Sequence, residues 1–259
     1  MDKILIVISN RLIRLTGNLF KVLAYPVHWL MPKKRFVIPE YSQAKVVASK
    51  PSRIPRTIWQ TNYSNKVTFP VYMNYLFNRL MSLEYDYRYV GDDEAAAYIK
   101  EHTSEQAYQA YLKLNDGAAK ADFWRLVTLN TDGGIYLDMD ASLVRPLKKL
   151  IETEDDALYV SLKKNNHVTN FFLASAPNNA DYAIAIDKMV DNIENKRVEE
   201  GVYFLTGPGV LTEILEGKEY KSVERKFVCI QGAFTNEHFQ YLDKPNSKWT
   251  HKKPKELLK

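Results

Sequence analysis

The sequence predicts an α/β sandwich with a mainly parallel central sheet, on three observations. Short apolar runs of strand length alternate with amphipathic stretches of helix length. A chain of 259 residues, 46% of them hydrophobic, is long enough for one large domain with a sizeable core. Turn residues, among them Gly91-Asp92-Asp93 and Gly133-Gly134, punctuate the alternation where one element must end.

The chain opens on an amphipathic stretch. Ile8, Leu12, Leu15, Leu19 and Val22 recur at helical spacing, while Arg11, Arg14, Asn18 and Lys21 gather on another side. The apolar run from Ile4 to Ile8 ends in polar residues well short of the roughly 20 that a spanning helix needs, and no small-residue cleavage site follows it. Residues 1–35 hold seven Lys/Arg and one acid, which leaves 29 basic and 30 acidic residues of the chain's 36 and 31 for the rest. The net charge of +5 therefore belongs to the N-terminal segment, and the near-neutral remainder, with no recognised binding motif, disfavours nucleic acid as a partner. A greasy face, a cationic face, Trp29 and the Lys33-Lys34-Arg35 cluster suit an anionic membrane surface, where each basic residue contributes about 1 kcal/mol. Packing of the greasy face on the protein's own core is the other way to cover it. Cys229 is the single cysteine, so nothing requires an oxidising compartment. The expectation is a cytoplasmic protein associated peripherally with the inner face of the cell membrane.

Residues 1–53 read as this membrane-surface segment plus a linker, Pro39 to Pro55, and residues 54–259 as the main domain. Within it, Thr57-Ile58-Trp59-Gln60 reads as the first strand, followed by a helix through Tyr72, Leu76 and Leu80. Tyr85 to Val90 is a second strand, and a helix follows through Ala95, Ala96, Ala97 and Ile99. A further helix spans Ala118 to about Leu129, stopped by Asn130 and the Gly133-Gly134 pair. Ile135 to Leu137, Leu158 to Leu162 and Phe171 to Ala174 read as later strands, Ala180 to Ile193 and Val210 to Leu215 as helices, and Phe227 to Ile230 as a last strand.

The densest chemical signal is Gly133-Gly134-Ile135-Tyr136-Leu137-Asp138-Met139-Asp140. Strand alternation puts Tyr136, Asp138 and Asp140 on one face and Ile135, Leu137 and Met139 in the core. Two carboxylates then converge at a strand end, the kind of oxygen donors that Mg2+ or Mn2+ takes together with phosphate oxygens and water. The glycine pair admits positive φ or a close backbone approach before the strand. An Asp-x-Asp alone is also what many surface turns carry. Asp122 and Arg125, three apart on the preceding helix, make either an ordinary helical ion pair or part of the same site.

Three blocks, Ile54-Pro55-Arg56-Thr57-Ile58-Trp59-Gln60, Ala118-Ala119-Lys120-Ala121-Asp122-Phe123-Trp124-Arg125 and Gly133 to Asp140, resemble glycosyltransferase family 32, the sugar-transferring group with a DXD motif. The resemblance covers Ile54 to Pro146 well and the remainder loosely. It implies a GT-A fold, a divalent cation (Mn2+ or Mg2+), a UDP- or GDP-hexose donor, and transfer to a glycan acceptor with retention of anomeric configuration. With the membrane-surface segment, the expectation is a lipid-linked acceptor in bacterial capsule or lipopolysaccharide synthesis. By the same resemblance Trp59 stands at the donor's base or ribose, a core indole being the other reading of that residue, Gln60 among the nucleotide-sugar contacts, Asp122 and Arg125 at the donor's sugar and ribose, and Tyr136 on the donor side. Asp138 would meet ribose or metal, and Asp140 the metal. Ala121 stands where the family often has Ser, so one polar contact is in doubt. Asn170 and Thr206-Gly207-Pro208-Gly209 fall where donor and acceptor loops are expected, although a tight turn accounts for the glycines. His238, Trp249 and His251 lie where the family often caps the diphosphate. His251 could be a third metal ligand, with neighbouring lysines as cations for phosphate; a basic, solvated tail is the other reading of the same stretch.

Two rival readings use the same residues. In a haloacid-dehalogenase-like phosphatase Asp138 would be the nucleophile, but about 80 residues of domain precede it and the Glu154-Asp155-Asp156 run comes too soon for the second acidic loop. A non-catalytic glycan-binding protein with a structural metal would bind glycan without consuming donor.

Overall fold

In the computed structural model, which describes residues 3–162, 167–245 and 247–259, the alternation of the sequence becomes one seven-stranded sheet with helices on both faces. The elements are α1 (Lys3–Leu30), β1 (Phe36–Val37), β2 (Tyr41–Ser42), β3 (Thr57–Thr61), β4 (Lys66–Val67), α2 (Phe69–Met81), β5 (Asp86–Val90), α3 (Asp92–His102), α4 (Glu105–Lys113), α5 (Gly117–Thr131), β6 (Gly134–Leu137), β7 (Ala141–Leu143), β8 (Ala157–Ser161), β9 (Val168–Ser175), α6 (Ala180–Glu194), α7 (Val202–Leu205), α8 (Pro208–Leu215), β10 (Ser222–Glu224), β11 (Cys229–Gln231) and α9 (Glu237–Gln240).

The sheet order is β10-β8-β9-β6-β3-β5-β2. It is mixed, where the alternation predicts a mainly parallel sheet. Among the described residues β10 with β8, β3 with β6 and β3 with β5 are parallel, and β8 with β9, β6 with β9 and β2 with β5 are antiparallel. The chain itself explains the first reversal. Only residues 162–167 separate β8 from β9, far fewer than the crossover of a parallel pair requires.

One face of the sheet packs on α3 to α6 through Tyr136, Tyr159 and Leu173, with Phe123, Trp124 and Tyr182 among the largest buried side chains. The other face buries Ile58, Tyr87, Ile135, Leu137, Leu158 and Phe172 against Val71 and Tyr75 of α2. Helix starts follow local chemistry: Pro70 occupies the first turn of α2, Ser104 caps α4, Asp116 caps α5 and Asn179 caps α6. Helices α4, α7 and α9 and the short strands β1, β2, β4, β7 and β10 are additions to the sequence reading. The last strand lies at Cys229–Gln231, because Arg225–Phe227 winds into a 3-10 turn. The stretch expected as a linker contributes β2 to the sheet edge, follows Ile38 and contains Ile54, both fully buried.

Helix α1 runs unbroken through Pro26 and packs on the body, but not with the apolar face read from the sequence. Ile6, Ile13, Gly17, Ala24 and His28 are its buried residues, and Ile6 and Ile13 join Val144, Ile230, Ala233 and Phe234 in a small separate core. A Cβ at Gly17 would lie 2.2 Å from Ala233 O, so glycine permits this approach. Ile8, Leu12, Leu15, Leu19 and Val22 stay exposed. No helix of the described residues is long and apolar enough to cross a membrane.

Candidate active site

Strand β6 delivers the acidic motif to the carboxyl end of the sheet, and the glycine pair sets its entry. Gly133 (φ 68°) and Gly134 (φ 108°) both occupy the left-handed region. A Cβ on Gly134 would lie 2.7 Å from Thr57 O and 2.8 Å from Trp59 Nε1. Trp59 Nε1 donates to Gly133 O at 2.9 Å, so the indole braces the bend. Along β6, Tyr136 faces the α3–α6 layer, whereas Ile135, Leu137 and Met139 enter the opposite core, as alternation requires. The strand stops at Leu137, and a turn closed by Ala141 N donating to Asp138 O (3.0 Å) carries Asp140 round.

The motif opens into a cleft of about 730 Å3, a size that suits a small-molecule ligand. Asp122, Arg125, Tyr136, Asp138, Asp140, Asn170 and Trp249 all line it. At its floor Arg125 lies 4.0 Å over the Tyr136 ring and within 3.4 Å of both Asp122 Oδ1 and Asp138 Oδ1. Its Nε donates to Ala121 O at 3.0 Å and its Nη1 to Asn170 O at 2.5 Å. Tyr136 Oη donates to Asp138 Oδ1 (2.8 Å) and Asn170 Nδ2 to Asp122 Oδ1 (3.0 Å). The buried cation thus fixes two carboxylates while having only one charge to offer three.

That imbalance shows in the proton affinities. Burial pushes the Asp122 carboxyl up to about 7 against the opposing pull of Arg125. Burial, with the Asp138 carboxylate next to it, pushes Asp140 up to about 7 as well. The contacts of Asp140 are few: Gln231 Nε2 at 3.4 Å, and Gly232 N donating to its carbonyl at 3.0 Å. The carboxylate pair is short of positive charge, which a divalent cation with oxygen-ligand preference would supply. Around the same cleft Asp116 Oδ2, Trp124 Nε1 and Asn170 Oδ1 are buried without a partner in the protein, and such atoms call for a ligand or water.

Four sequence-derived candidates lie elsewhere. Trp59 and Gln60 are not among the cleft-lining residues. Gln60 Nε2 instead donates to the carbonyls of Leu137 (3.0 Å) and Asp138 (3.2 Å), and its Oε1 accepts from Tyr87 Oη, so it holds the motif's backbone from behind. His251 is not part of the lining either; its Nε2 is 3.4 Å from Glu237 Oε1. Among the described residues no group of three or more His, Cys, Asp or Glu is arranged to hold a metal ion. His238 stacks on Tyr25 outside the cleft. Lys248 and Lys252 do line it, Lys248 while paired with Glu237 at 2.8 Å. The Gly207-Pro208-Gly209 segment is the tight junction between α7 and α8, with Pro208 at the cleft edge.

Sequence reasoning missed Asn62, Tyr63, Asp116 and Gln231, all on the lining. Asn62 and Tyr63 follow the carboxyl end of β3, where ligands of open α/β sheets bind, a usable signal. Gln231 comes to Asp140 only through the pairing of β11 with β7, which no local pattern announces.

A family model described as the glycosyltransferase sugar-binding region containing a DXD motif matches residues 70–185. That span contains Asp122, Arg125, Tyr136, Asp138, Asp140 and Asn170. Over these residues the chain is similar to the DXD-motif glycosyltransferases of the family 32 type. Over 131 residues it is 28% identical to the initiation-specific alpha-1,6-mannosyltransferase of Saccharomyces cerevisiae, an alignment covering 47% of this chain and 25% of the yeast protein. The chain thus spans about a quarter of the length of that curated relative. Among solved structures the PaToxG glycosyltransferase superposes with a TM-score of 0.52 at 17% identity, covering 80% of this chain and 79% of the other. This likeness gives the DXD domain a glycosyltransferase fold of GT-A type around its mixed sheet.

Proposed function

We propose that this glycosyltransferase domain moves a hexose from a UDP- or GDP-hexose to a glycan acceptor with retention of configuration. The acceptor is lipid-linked and the setting is bacterial surface polysaccharide synthesis at the cytoplasmic face of the membrane. The observation that carries the transfer reading is the placement of Asp138 and Asp140 at a turn opening into the cleft, opposite a buried Arg125 that neutralises only part of their charge.

In this reading Asp138 and Asp140 hold a Mn2+ or Mg2+ ion, which supplies charge neutralisation for the donor's diphosphate. The chain's own residues do the positioning. Arg125 and Tyr136 fix the Asp138 carboxylate, and Gln60 fixes the backbone beneath it. Asp122, held by Asn170, presents a carboxylate to the donor's hydroxyls, while Lys248 and Lys252 bring cationic groups to the other wall. A preorganised set of this kind lowers the barrier by orientation and by stabilising the charge of the leaving group. Tyr203, on the cleft lining, sets its hydroxyl 3.2 Å from His167 Nδ1, and the reading gives this pair no part in the transfer. Cys229 is fully buried with its thiol pushed far up by burial, so it serves the core.

The phosphatase reading asks Asp138 to be a free nucleophile, whereas Tyr136 and Arg125 occupy its Oδ1. The test incubates the purified chain with a panel of UDP- and GDP-hexoses in Mn2+, Mg2+ or EDTA and measures nucleotide release. Cation-dependent release from one donor, abolished in Asp140→Asn, is the expected result. Hydrolysis of a generic phosphate monoester without release from any donor would overturn it in favour of a phosphatase.

A further inference from the structure

Helix α1 has two apolar faces, and only one is used. Ile6, Ile13, Gly17, Ala24 and His28 pack on the body. Ile8, Leu12, Leu15, Leu19, Val22 and Trp29 are between 48% and 81% exposed. At 3.6 residues per turn the two sets are centred roughly 180° apart, and the exposed set fills an arc of about 100°. The exposed face is therefore not the outer edge of a packed stripe. It is a separate apolar strip running most of the helix, far more than scattered surface hydrophobes would give.

Charge decides what fits on it. Residues 3–39 contain seven Lys/Arg and no Asp or Glu. Arg11 and Arg14 are exposed along one border of the strip and Lys33 and Lys34 just beyond its end. A second copy of the helix laid on this face would set basic residues against basic residues with no acid to pair them. A bilayer with anionic headgroups satisfies both parts: acyl chains take the apolar strip, headgroup phosphates take the arginines and lysines, and Trp29 suits the interface.

We infer that the exposed face of α1 is a docking surface for an anionic lipid bilayer, with the helix lying flat in the headgroup region. This deepens the transfer reading by naming the surface that would bring the cleft to a lipid-linked acceptor, yet it can be tested without any turnover. The geometry also ties the surface to the site. The buried side of α1 touches Ala233 and Phe234 through Gly17, and Lys21 Nζ donates to Gly232 O at 3.1 Å. Gly232 and Thr235 line the cleft. One helix diameter, about 10 Å, separates the lipid-facing strip from the cleft wall.

The test is flotation of the full chain with phosphatidylcholine vesicles, with and without phosphatidylglycerol, for the wild type, Leu15→Glu/Leu19→Glu and Arg11→Gln/Arg14→Gln. The wild type is expected to float only with the anionic vesicles. The charge-removal variant should bind them about thirtyfold more weakly, and the apolar-face variant should lose at least about tenfold. Both variants should keep the wild-type unfolding midpoint and whatever nucleotide release the wild type has, so that failure of the docking surface and failure of the transfer reading are read separately. A wild type that stays unbound with both vesicles overturns the inference, as do variants that float like the wild type. Sedimentation without vesicles closes the remaining case: a wild-type dimer that Leu15→Glu/Leu19→Glu dissociates assigns the face to a second copy and also overturns it.

Discussion

Arg125 and Asp138 stand 3.4 Å apart at the floor of the cleft, with the guanidinium held over the Tyr136 ring at 4.0 Å. One buried cation on α5 therefore sets the orientation of the first acid of the DXD motif. Lysine cannot both stack and fork in this way. Arg125→Lys is expected to lower nucleotide release by about a hundredfold, the scale of misplacing a positioning group. Arg125→Leu, which strands two carboxylates, should cost about 3–5 kcal/mol in urea unfolding.

The Asp122 carboxyl gives the protein a pH dependence with a definite sign. Its folded value, about 7, lies above the ordinary carboxylate value because burial outweighs Arg125. Between roughly pH 4 and 7 the folded chain therefore holds a proton that the unfolded chain has released, so this group's contribution to stability falls as pH rises through that window. Urea midpoints of the cation-free protein should fall across this range, and Asp122→Asn should remove close to one proton's worth of the slope. A slope unchanged in the variant would place the titration elsewhere.

Trp59 gives the sharpest contrast with a donor-contact role. Its Nε1 bond to Gly133 O is part of the bend that feeds β6. Trp59→Phe is expected to cost about 1 kcal/mol of stability and to leave the donor dissociation constant unchanged by calorimetry. A large loss of donor affinity with intact stability would return Trp59 to the donor side.

Gln60 separates positioning from folding. Gln60→Met keeps the volume but frees the carbonyls of Leu137 and Asp138. Nucleotide release should drop about tenfold in kcat, with far less change in KM, while the chain remains folded at working temperature.

These residues also show what the sequence could and could not reveal. Strands β3, β5, β6 and β8 and helices α2, α3, α5 and α6 follow from hydrophobic period and turn chemistry, because each buries a face whose spacing is written locally. Asp122, Arg125, Tyr136, Asp138, Asp140 and Asn170, singled out from the sequence, line one cleft. The mixed sheet was not legible, since antiparallel β9 depends on a short connection rather than on residue pattern. Nor was the buried face of α1: a helix of 28 residues carries two apolar stripes, and periodicity reports the stronger one. Trp59 and Gln60 were placed at the ligand because a residue that braces the motif from behind occupies the same strand end as one that touches ligand.

The central claim is that Asp138 and Asp140 hold the cation through which the donor diphosphate is bound. Calorimetric titration of the donor identified by nucleotide release, in Mn2+ and in EDTA, for wild type and Asp140→Asn, tests it most directly. Binding that requires the cation in the wild type and weakens at least about tenfold in the variant, an energy of about 1.4 kcal/mol or more, is expected. Equal affinity in Mn2+ and EDTA, unchanged by Asp140→Asn, would contradict it.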